Sequence, residues 1–293
     1  MPDGMAQVPG GAFLMGSEDF YPEERPVREV TVEAFWIDLR PVTVADFRRF
    51  VKATGHVTVA ERTPDAADFP DADPALLVPG SLVFRPSRGP VDLRDFRNWW
   101  DYRPGASWRA PEGPGSDTYQ RARHPVTHIA FEDAQAYAAW AGKQLPTEAE
   151  WERAARGGLE GATYAWGDEF APGGRMMANT WQGEFPWQNL LTDGWGGTSP
   201  VGSYEPNGYG LFDMTGNVWE WTVDRFDAGP SASPCCGGAA SAPGEERLVI
   251  KGGSHLCAPS YCLRYRPAAR QSETPDTSTS HLGFRCVVRD SAA

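Results

Sequence analysis

The sequence predicts an α+β protein in which loops outweigh helices and strands. Its 293 residues include 32 Gly, 26 Pro and 12 Trp, which is typical of a turn-rich chain stabilised by large buried aromatic side chains. Three segments carry helix signals, and short strand-like segments lie on both sides of them. Because we find neither a fixed-period repeat nor a clear linker, we expect one domain over residues 1–293.

The helix signals are local. Helices are predicted at residues 44–51, 131–141 and 148–156, each ending close to a glycine. Thr147 and Glu150 form the capping box that opens the third helix, because each side chain can bond the other residue's backbone N–H.

The strand signals are weaker and scattered. Residues 56–120 are dense in Pro, Gly and Asp, so we expect long loops there. Residues 231–244, rich in Ser, Ala, Pro and Gly, are expected to form a surface loop. Short strands are predicted within residues 8–13, 27–39, 218–222, 248–251 and 283–288.

Charge and cysteine content limit the possible partners. The formal net charge of -12 argues against nucleic acid and against an anionic membrane surface, and it suits a basic ligand or peptide. The sequence has neither a secretory signal pattern nor a run of roughly 18 apolar residues, so we expect a cytoplasmic protein. We also expect it to be a monomer. Thiols are then expected at all five cysteines, Cys235, Cys236, Cys257, Cys262 and Cys286.

The most informative segment is Gly252–Arg266, which reads GGSHLCAPSYCLRYR. Cys257 and Cys262 stand five residues apart among Ser, His, Tyr and Arg. A core strand or helix does not need this mixture, whereas a site for a soft metal ion or for thiol chemistry does. The spacing alone leaves a metal site, a redox pair and a structural bridge open.

These residues belong to a wider pattern that resembles the formylglycine-generating enzyme family, also called sulfatase-modifying factors. The likeness runs nearly end to end. The LPTEAEWE and GNVWEW blocks are shared by the whole superfamily and indicate fold, whereas the Gly-Gly-Ser…Cys-x4-Cys-x-Arg-Tyr-Arg block is specific to the enzymes that make formylglycine. The matching blocks include GGAFLMGS, PEERPVREVTVEAFWID, HPVTHIAFEDAQAYAAWAGKQLPTEAEWERAARGG, PNGYGLFDMTGNVWEWT, KGGSHLCAPSYCLRYRPAAR and GFRC.

The resemblance implies a C-type-lectin-like α+β fold and a copper-dependent oxidase. The implied reaction uses O2 to convert the cysteine of a Cys-x-Pro/Ala-x-Arg motif, in an unfolded sulfatase polypeptide, to Cα-formylglycine. Cys257 and Cys262 would bind Cu(I), and the substrate cysteine would be the third sulfur ligand. Ser254 would lie beside the metal.

Neighbouring side chains are candidates for tuning this pair. Arg264, Arg266 and His255 could lower the thiol pKa values if they lie close enough. Tyr261, Trp219 and Trp221 could wall the pocket, although core packing is the commoner role for such residues. The substrate's motif arginine would suit an acidic groove, for which residues 61–73 are the candidates.

The family resemblance also implies two structural calcium sites. Oxygen-rich loops offer the carboxylates, amides and carbonyls that Ca²⁺ requires. The first site would use the side chains of Asn179 and Asp193 with the carbonyls of Thr180 and Trp195. The second would use the side chains of Asp213 and Glu220 with the carbonyls of Gly216 and Val218.

Several positions depart from the commonest family pattern. Ala258 stands where many members have His, and Glu273 and His281 stand where many have Asn. In secreted animal members, one disulfide joins the positions that match Ala138 and Cys286. Here Ala138 replaces one of the two cysteines, so this bridge has lost a partner. A reducing cytoplasm would allow this loss.

Two other functions were weighed. A non-catalytic, lectin-like binding module on the same fold would have no reason to keep Cys257, Cys262 and Ser254. A non-haem iron sulfoxide synthase would need a His-x3-His-x-Glu triad, which the sequence lacks. His124 and His128 have a zinc-like spacing, but Pro125 between them disfavours a helix that carries both.

Overall fold

The computed structural model describes residues 2–67, 73–227 and 246–289. The predicted loop at 231–244, with Cys235 and Cys236, lies outside the described residues, as does part of the candidate acidic segment at 61–73. The described chain mixes three α-helices with short strands and long connections, so the predicted α+β class is confirmed.

The three helices form where the local signals predict them. Helix α1 spans Val44–Thr54, α2 spans Phe131–Trp140 and α3 spans Glu148–Arg156. The Thr147 hydroxyl accepts the Glu150 N–H and the Glu150 carboxylate accepts the Thr147 N–H, which completes the predicted capping box.

The strands are short and form four small sheets. Their bounds are β1 Met5–Val8, β2 Gly11–Met15, β3 Arg28–Val32, β4 Phe35–Asp38, β5 Gly80–Phe84, β6 Trp100–Pro104, β7 Trp219–Arg225, β8 Leu248–Lys251, β9 Arg270–Glu273, β10 Leu282–Gly283 and β11 Val287–Arg289. The sheet orders are β1-β4-β11, β10-β7-β8-β9, β2-β3 and β5-β6. The β10–β7 pair is parallel, and the other named pairs are antiparallel.

Several details differ from the sequence-based expectation. The strand segments predicted at residues 27–39 and 283–288 each correspond to two strands, β3 and β4 in the first and β10 and β11 in the second. The strand predicted at residues 8–13 is two strands, because Pro9 and Gly10 interrupt it. The region expected to be loops at 56–120 contains the β5–β6 hairpin. Strand β9 was not predicted, because Arg-Gln-Ser-Glu carries no apolar alternation; it forms by pairing with β8.

Aromatic side chains fill the core around the cysteine segment. One buried cluster includes Cys257, Cys262, Trp219 and Trp221, and a second joins Trp99 and other aromatic rings of the hairpin region to Ala258. The hairpin therefore packs against the segment that carries the cysteine pair. The tryptophan-rich composition predicts such aromatic packing, but not which rings meet.

Candidate functional site

The cysteine segment leaves strand β8 through two glycines. Gly253 has φ of 69°, and a Cβ there would lie 2.8 Å from the backbone of Arg264, so the tight turn requires glycine. The Cys262 N–H then donates to the Ala258 carbonyl at 2.7 Å. This turn brings both cysteine side chains to the same side of the segment.

The two thiols meet in the protein interior. The Sγ atoms of Cys257 and Cys262 are 3.3 Å apart, well beyond the roughly 2.05 Å of a disulfide bond, and each residue is 2% exposed. The Ser254 N–H points at Cys257 Sγ from 3.4 Å. Two converging soft donors fit Cu(I).

A soft metal ion held here would have these two thiols as its protein ligands. Within the described part of the chain, no group of three or more His, Cys, Asp and Glu side chains converges as a metal-binding set. The pair therefore has the donor number expected if a substrate sulfur is the third ligand. The same finding gives no support to a His-His-Glu iron triad.

Ser254 lies beside the pair and is fully buried. Its hydroxyl oxygen is 2.9 Å from Nδ1 of His281 and accepts the Leu256 N–H at 3.2 Å. The structure thus brings together Ser254, Cys257 and Cys262, and it adds His281 to them. The sequence flagged His281 only as a departure from the family pattern.

Of the three candidate cations, one contacts a thiol. Arg264 places Nη1 3.9 Å from Cys262 Sγ, while its Nη2 donates to Glu23 at 2.5 Å. Arg266 instead forms a buried, two-bond ion pair with Glu24, at 2.9 and 2.5 Å. These two glutamates were missed by the sequence analysis, because they lie more than 240 residues away along the chain.

The histidines of the site are neutral. Burial lowers the pKa of His255 to about 4, and its Nδ1 bonds the Asn217 carbonyl at 2.8 Å. Burial, together with His255 and His128, also holds the pKa of His281 well below its usual range. His255 therefore supplies no positive charge to the thiols, contrary to the sequence-based suggestion.

Aromatic rings enclose one side of the segment. Tyr261 stacks on Phe185, with ring centroids 4.7 Å apart, and packs edge-on against Trp99 at 5.5 Å. Trp100 packs edge-on against the His281 ring at 4.9 Å. The adjacent indoles of the hairpin were missed as site residues, although their Trp-Trp doublet was a visible signal.

Two other predicted wall residues belong to the core. Trp219 and Trp221 are both fully buried, and the Trp221 indole N–H donates to the Ile129 carbonyl at 2.9 Å. His124 and His128 bond separate hydroxyls, those of Thr198 and Ser81. These histidines therefore have the structural role that the sequence favoured.

The first predicted calcium set contains an unsatisfied buried oxygen. Asn179 is 1% exposed and its Nδ2 donates to the Gly197 carbonyl at 2.9 Å. Its Oδ1 has no hydrogen-bond partner among the residues that the structure describes. The Asp193 carboxylate accepts the N–H groups of Thr180 and Trp195, which brings this residue set together. The Asp193 carboxylate also accepts from Gln182 Nε2 at 2.8 Å, so the buried Asn179 oxygen is the atom of this set that fits a hard cation.

The second predicted set fits calcium poorly. Both oxygens of Glu220 accept from Arg285, at 2.7 and 2.8 Å, and one also accepts the Trp151 indole N–H. The same guanidinium donates to the Asp213 carbonyl at 3.0 Å. The Arg285 guanidinium thus already pairs with the Glu220 carboxylate, which was expected to ligate calcium. Burial raises the pKa of Asp213 to about 6.

No helix within the described ranges is both long and apolar enough to cross a bilayer.

Comparison with known proteins identifies the family. A family model described as "Sulfatase-modifying factor enzyme 1-like domain" matches residues 1–290. The chain is 56% identical to a formylglycine-generating enzyme of Mycobacterium tuberculosis, over 97% of both chains. It is 51% identical to the enzyme of that name from Streptomyces coelicolor, over 97% of this chain and 88% of the relative.

More distant relatives show how widely the fold is used. A mouse protein named inactive Cα-formylglycine-generating enzyme 2 is 41% identical, over 97% of this chain and 85% of its own length. The solved structure of PvdO from Pseudomonas aeruginosa superposes with a TM-score of 0.65 at 27% identity, covering 97% of this chain and 93% of that one. The chain therefore belongs to the sulfatase-modifying factor family and is an oxidoreductase of the formylglycine-generating type.

Proposed function

We propose that this chain is a copper-dependent oxidase that converts the cysteine of a Cys-x-Pro/Ala-x-Arg motif to Cα-formylglycine. The observation that carries the proposal is the pair of buried Sγ atoms, Cys257 and Cys262, 3.3 Å apart without a disulfide bond. The names of the bacterial relatives support the reaction class. The proposal treats residues 1–293 as one domain, which the family match over residues 1–290 supports.

The protein residues have distinct roles in this proposal. Cys257 and Cys262 would hold Cu(I) as thiolates, with the substrate cysteine as the third sulfur. Copper, when bound, supplies the activation of O2. Ser254 offers a hydroxyl next to the pair, and Arg264 offers a positive charge 3.9 Å from Cys262. The buried position of the pair keeps bulk water from the reacting sulfur.

The stoichiometry fixes which co-reactants are needed. Oxidation of R–CH2–SH to R–CHO with release of hydrogen sulfide takes up one water and gives up two electrons and two protons. Complete reduction of O2 to two waters takes four electrons and four protons. A thiol reductant must therefore supply the remaining two electrons, so that R–CH2–SH, O2, two electrons and two protons give R–CHO, one hydrogen sulfide and one water.

A second feature supports a peptide carrying an arginine. A cavity of about 470 Å³ lies along β5 and is lined by Asp65, Glu132 and Asp276. The segment that carries Asp276 runs on to His281 beside the thiol pair. We assign the motif arginine to this cavity, because Asp65 and Asp276 offer carboxylates to a guanidinium, whereas Glu132 already pairs with Arg62, which also lines the cavity. Of the candidate residues at 61–73, Asp65 lines the cavity, whereas Glu61 pairs with Arg109.

The proposal includes structural calcium at the first residue set, Asn179, Thr180, Asp193 and Trp195. The Asn179 oxygen, which has no partner in the part of the chain that the structure describes, supports it. It also places the enzyme in a reducing cytoplasm as a monomer. Buried thiols at Cys257, Cys262 and Cys286 support a reducing setting. Size-exclusion chromatography with light scattering tests the monomer directly.

The test is a peptide assay. The protein is incubated with Cu(I), O2, a thiol reductant and a Leu-Cys-Thr-Pro-Ser-Arg peptide. We expect a product about 18 Da lighter, which follows from replacing CH2–SH by CHO, and it should react with a hydroxylamine probe. No mass change with copper-loaded protein would refute the proposal.

Matched cysteine variants locate the chemistry. Cys257→Ala and Cys262→Ala should each abolish turnover, because each removes a copper ligand. Cys236→Ala, at a position outside the described residues, should leave turnover intact. Full activity in either of the first two variants would reject the thiolate pair as the metal site.

The non-catalytic alternative remains an outcome of the same assay. The mouse relative mentioned above carries a name that describes it as inactive. A binding module would retain the peptide without changing its mass. The converging thiols of Cys257 and Cys262 favour the enzyme, because peptide binding alone gives no reason to bury such a pair.

A further inference from the structure

The Ser254 hydroxyl is held from two sides. Its oxygen accepts the Leu256 N–H at 3.2 Å and lies 2.9 Å from Nδ1 of His281. The backbone N–H of the same serine donates to Cys257 Sγ at 3.4 Å. The serine therefore connects the His281 ring to the edge of the thiol pair.

His281 is itself fixed by its surroundings. It is 2% exposed, its ring packs edge-on against Trp100 at 4.9 Å, and its carbonyl accepts the Trp219 N–H at 2.9 Å. The residue precedes strand β10, which pairs in parallel with β7. An imidazole anchored at both ring and backbone can impose a direction on the group that it bonds.

A hydroxyl has one proton and two lone pairs. The Leu256 N–H occupies one lone pair of Ser254, and the imidazole takes either the proton or the second lone pair. With both partners in place, a single direction remains for the hydroxyl to offer to a third group. Without the imidazole, the serine regains rotational freedom about χ1 and about its C–O bond.

We propose that His281 is a positioning residue that fixes the Ser254 hydroxyl for the reaction at the Cys257–Cys262 pair. This inference rests on the proposed function and deepens it by assigning a residue that acts through Ser254. An asparagine can replace the imidazole in either role, since its side chain offers both a donor and an acceptor. A leucine of similar bulk can replace neither.

The test compares His281→Leu with His281→Asn in the peptide assay. We expect kcat of the leucine variant to fall about 10- to 100-fold, as is typical when a residue that orients a metal-site group is removed. The asparagine variant should keep most of the activity. Because His281 acts through Ser254, Ser254→Ala combined with His281→Leu should be no slower than Ser254→Ala alone.

A matched control separates this role from general packing. His124 places its Nδ1 2.9 Å from the Thr198 hydroxyl and packs edge-on against Trp195, so it makes the same two kinds of contact as His281 in a half-buried position elsewhere in the fold. His124→Leu should leave kcat unchanged. Cu(I) affinity, measured by chelator competition, and the melting temperature are recorded for every variant, and neither should track the loss of kcat.

The other possible results separate the positioning role of His281 from the proposed function. A normal kcat in His281→Leu would overturn the positioning role and leave the proposed function standing. The same holds if kcat of the Ser254→Ala, His281→Leu double variant falls by the product of the two single effects. An inactive wild-type enzyme would refute the proposed function. The positioning claim would then be decided by crystal structures, in which Ser254 Oγ should keep its place in the asparagine variant and leave it in the leucine variant.

Discussion

Removal of calcium from the first residue set should lower the stability of the protein measurably. Asn179 Oδ1 is buried and has no hydrogen-bond partner among the described residues, which costs about 1–3 kcal/mol if nothing binds it. A calcium ion bonded to this oxygen and to the Asp193 carboxylate would remove that penalty. The free energy of unfolding should therefore depend on the calcium concentration.

The magnitude follows from linkage. At free calcium about one hundred times the dissociation constant, binding to the folded state alone adds about 2.7 kcal/mol to the free energy of unfolding. For a chain of 293 residues the entropy of unfolding is about 0.6 kcal/mol/K, so each kcal/mol shifts the melting temperature by about 1.6 °C and we expect an increase of about 4 °C. Differential scanning calorimetry of EDTA-treated protein, with and without added calcium, measures this shift.

Two variants test the assignment to Asn179. Asn179→Leu should abolish the calcium-dependent shift, because it removes the proposed ligand oxygen. Asp213→Asn, in the second residue set, should keep the shift, because Arg285 already satisfies the Glu220 carboxylate there. Equal melting temperatures with and without calcium in the wild-type protein, or a full shift in Asn179→Leu, would refute the reasoning.

Three further predictions concern metal binding, the buried ion pair and acid stability. Cys257→Ser should weaken Cu(I) binding in a chelator competition by at least about tenfold, because a hydroxyl is a hard donor, whereas Cys286→Ser should not; equal losses would contradict the assignment. Glu24→Gln should lower the free energy of unfolding in urea by about 3–5 kcal/mol, because it leaves the Arg266 guanidinium buried without its counter-charge; a loss below about 1 kcal/mol would contradict this. Burial lowers the pKa of His128 to about 3, so the unfolded chain binds a proton below pH 6.5 that the folded chain cannot, and stability is lost as the pH falls from 6.5 towards 3. His128→Asn should therefore reduce the destabilisation between pH 7 and pH 5 by about 2 kcal/mol in urea titrations, and an unchanged pH dependence would contradict this.

The helices were predictable because their signals are local. Thr147 and Glu150 are three residues apart, and their mutual hydrogen bonds form within one turn whatever the rest of the chain does. Strand β9 was not predictable, because its polar residues become a strand only by pairing with β8. The hairpin β5–β6 was hidden for a similar reason within a segment rich in Pro and Gly.

Some features of the candidate site were likewise predictable from the sequence, and others were not. The sequence pointed to Ser254, Cys257 and Cys262, because the block that carries them resembles the one specific to the enzymes that make formylglycine. It suggested three cations near the thiols, but burial leaves His255 neutral, and Glu24 holds Arg266 in a separate ion pair. Charge states depend on desolvation and on partners, which residue spacing does not report.

By itself, the sequence determined the α+β class, the three helices and the identity of the soft-donor pair. Only the tertiary structure decided that the thiols lie 3.3 Å apart without a disulfide bond and that His281 bonds Ser254. It also decided that Glu23 pairs with Arg264 across 241 positions of the chain. The physical reason is that helix capping and donor chemistry are properties of neighbouring residues, whereas burial, charge and approach distance arise when distant segments pack together.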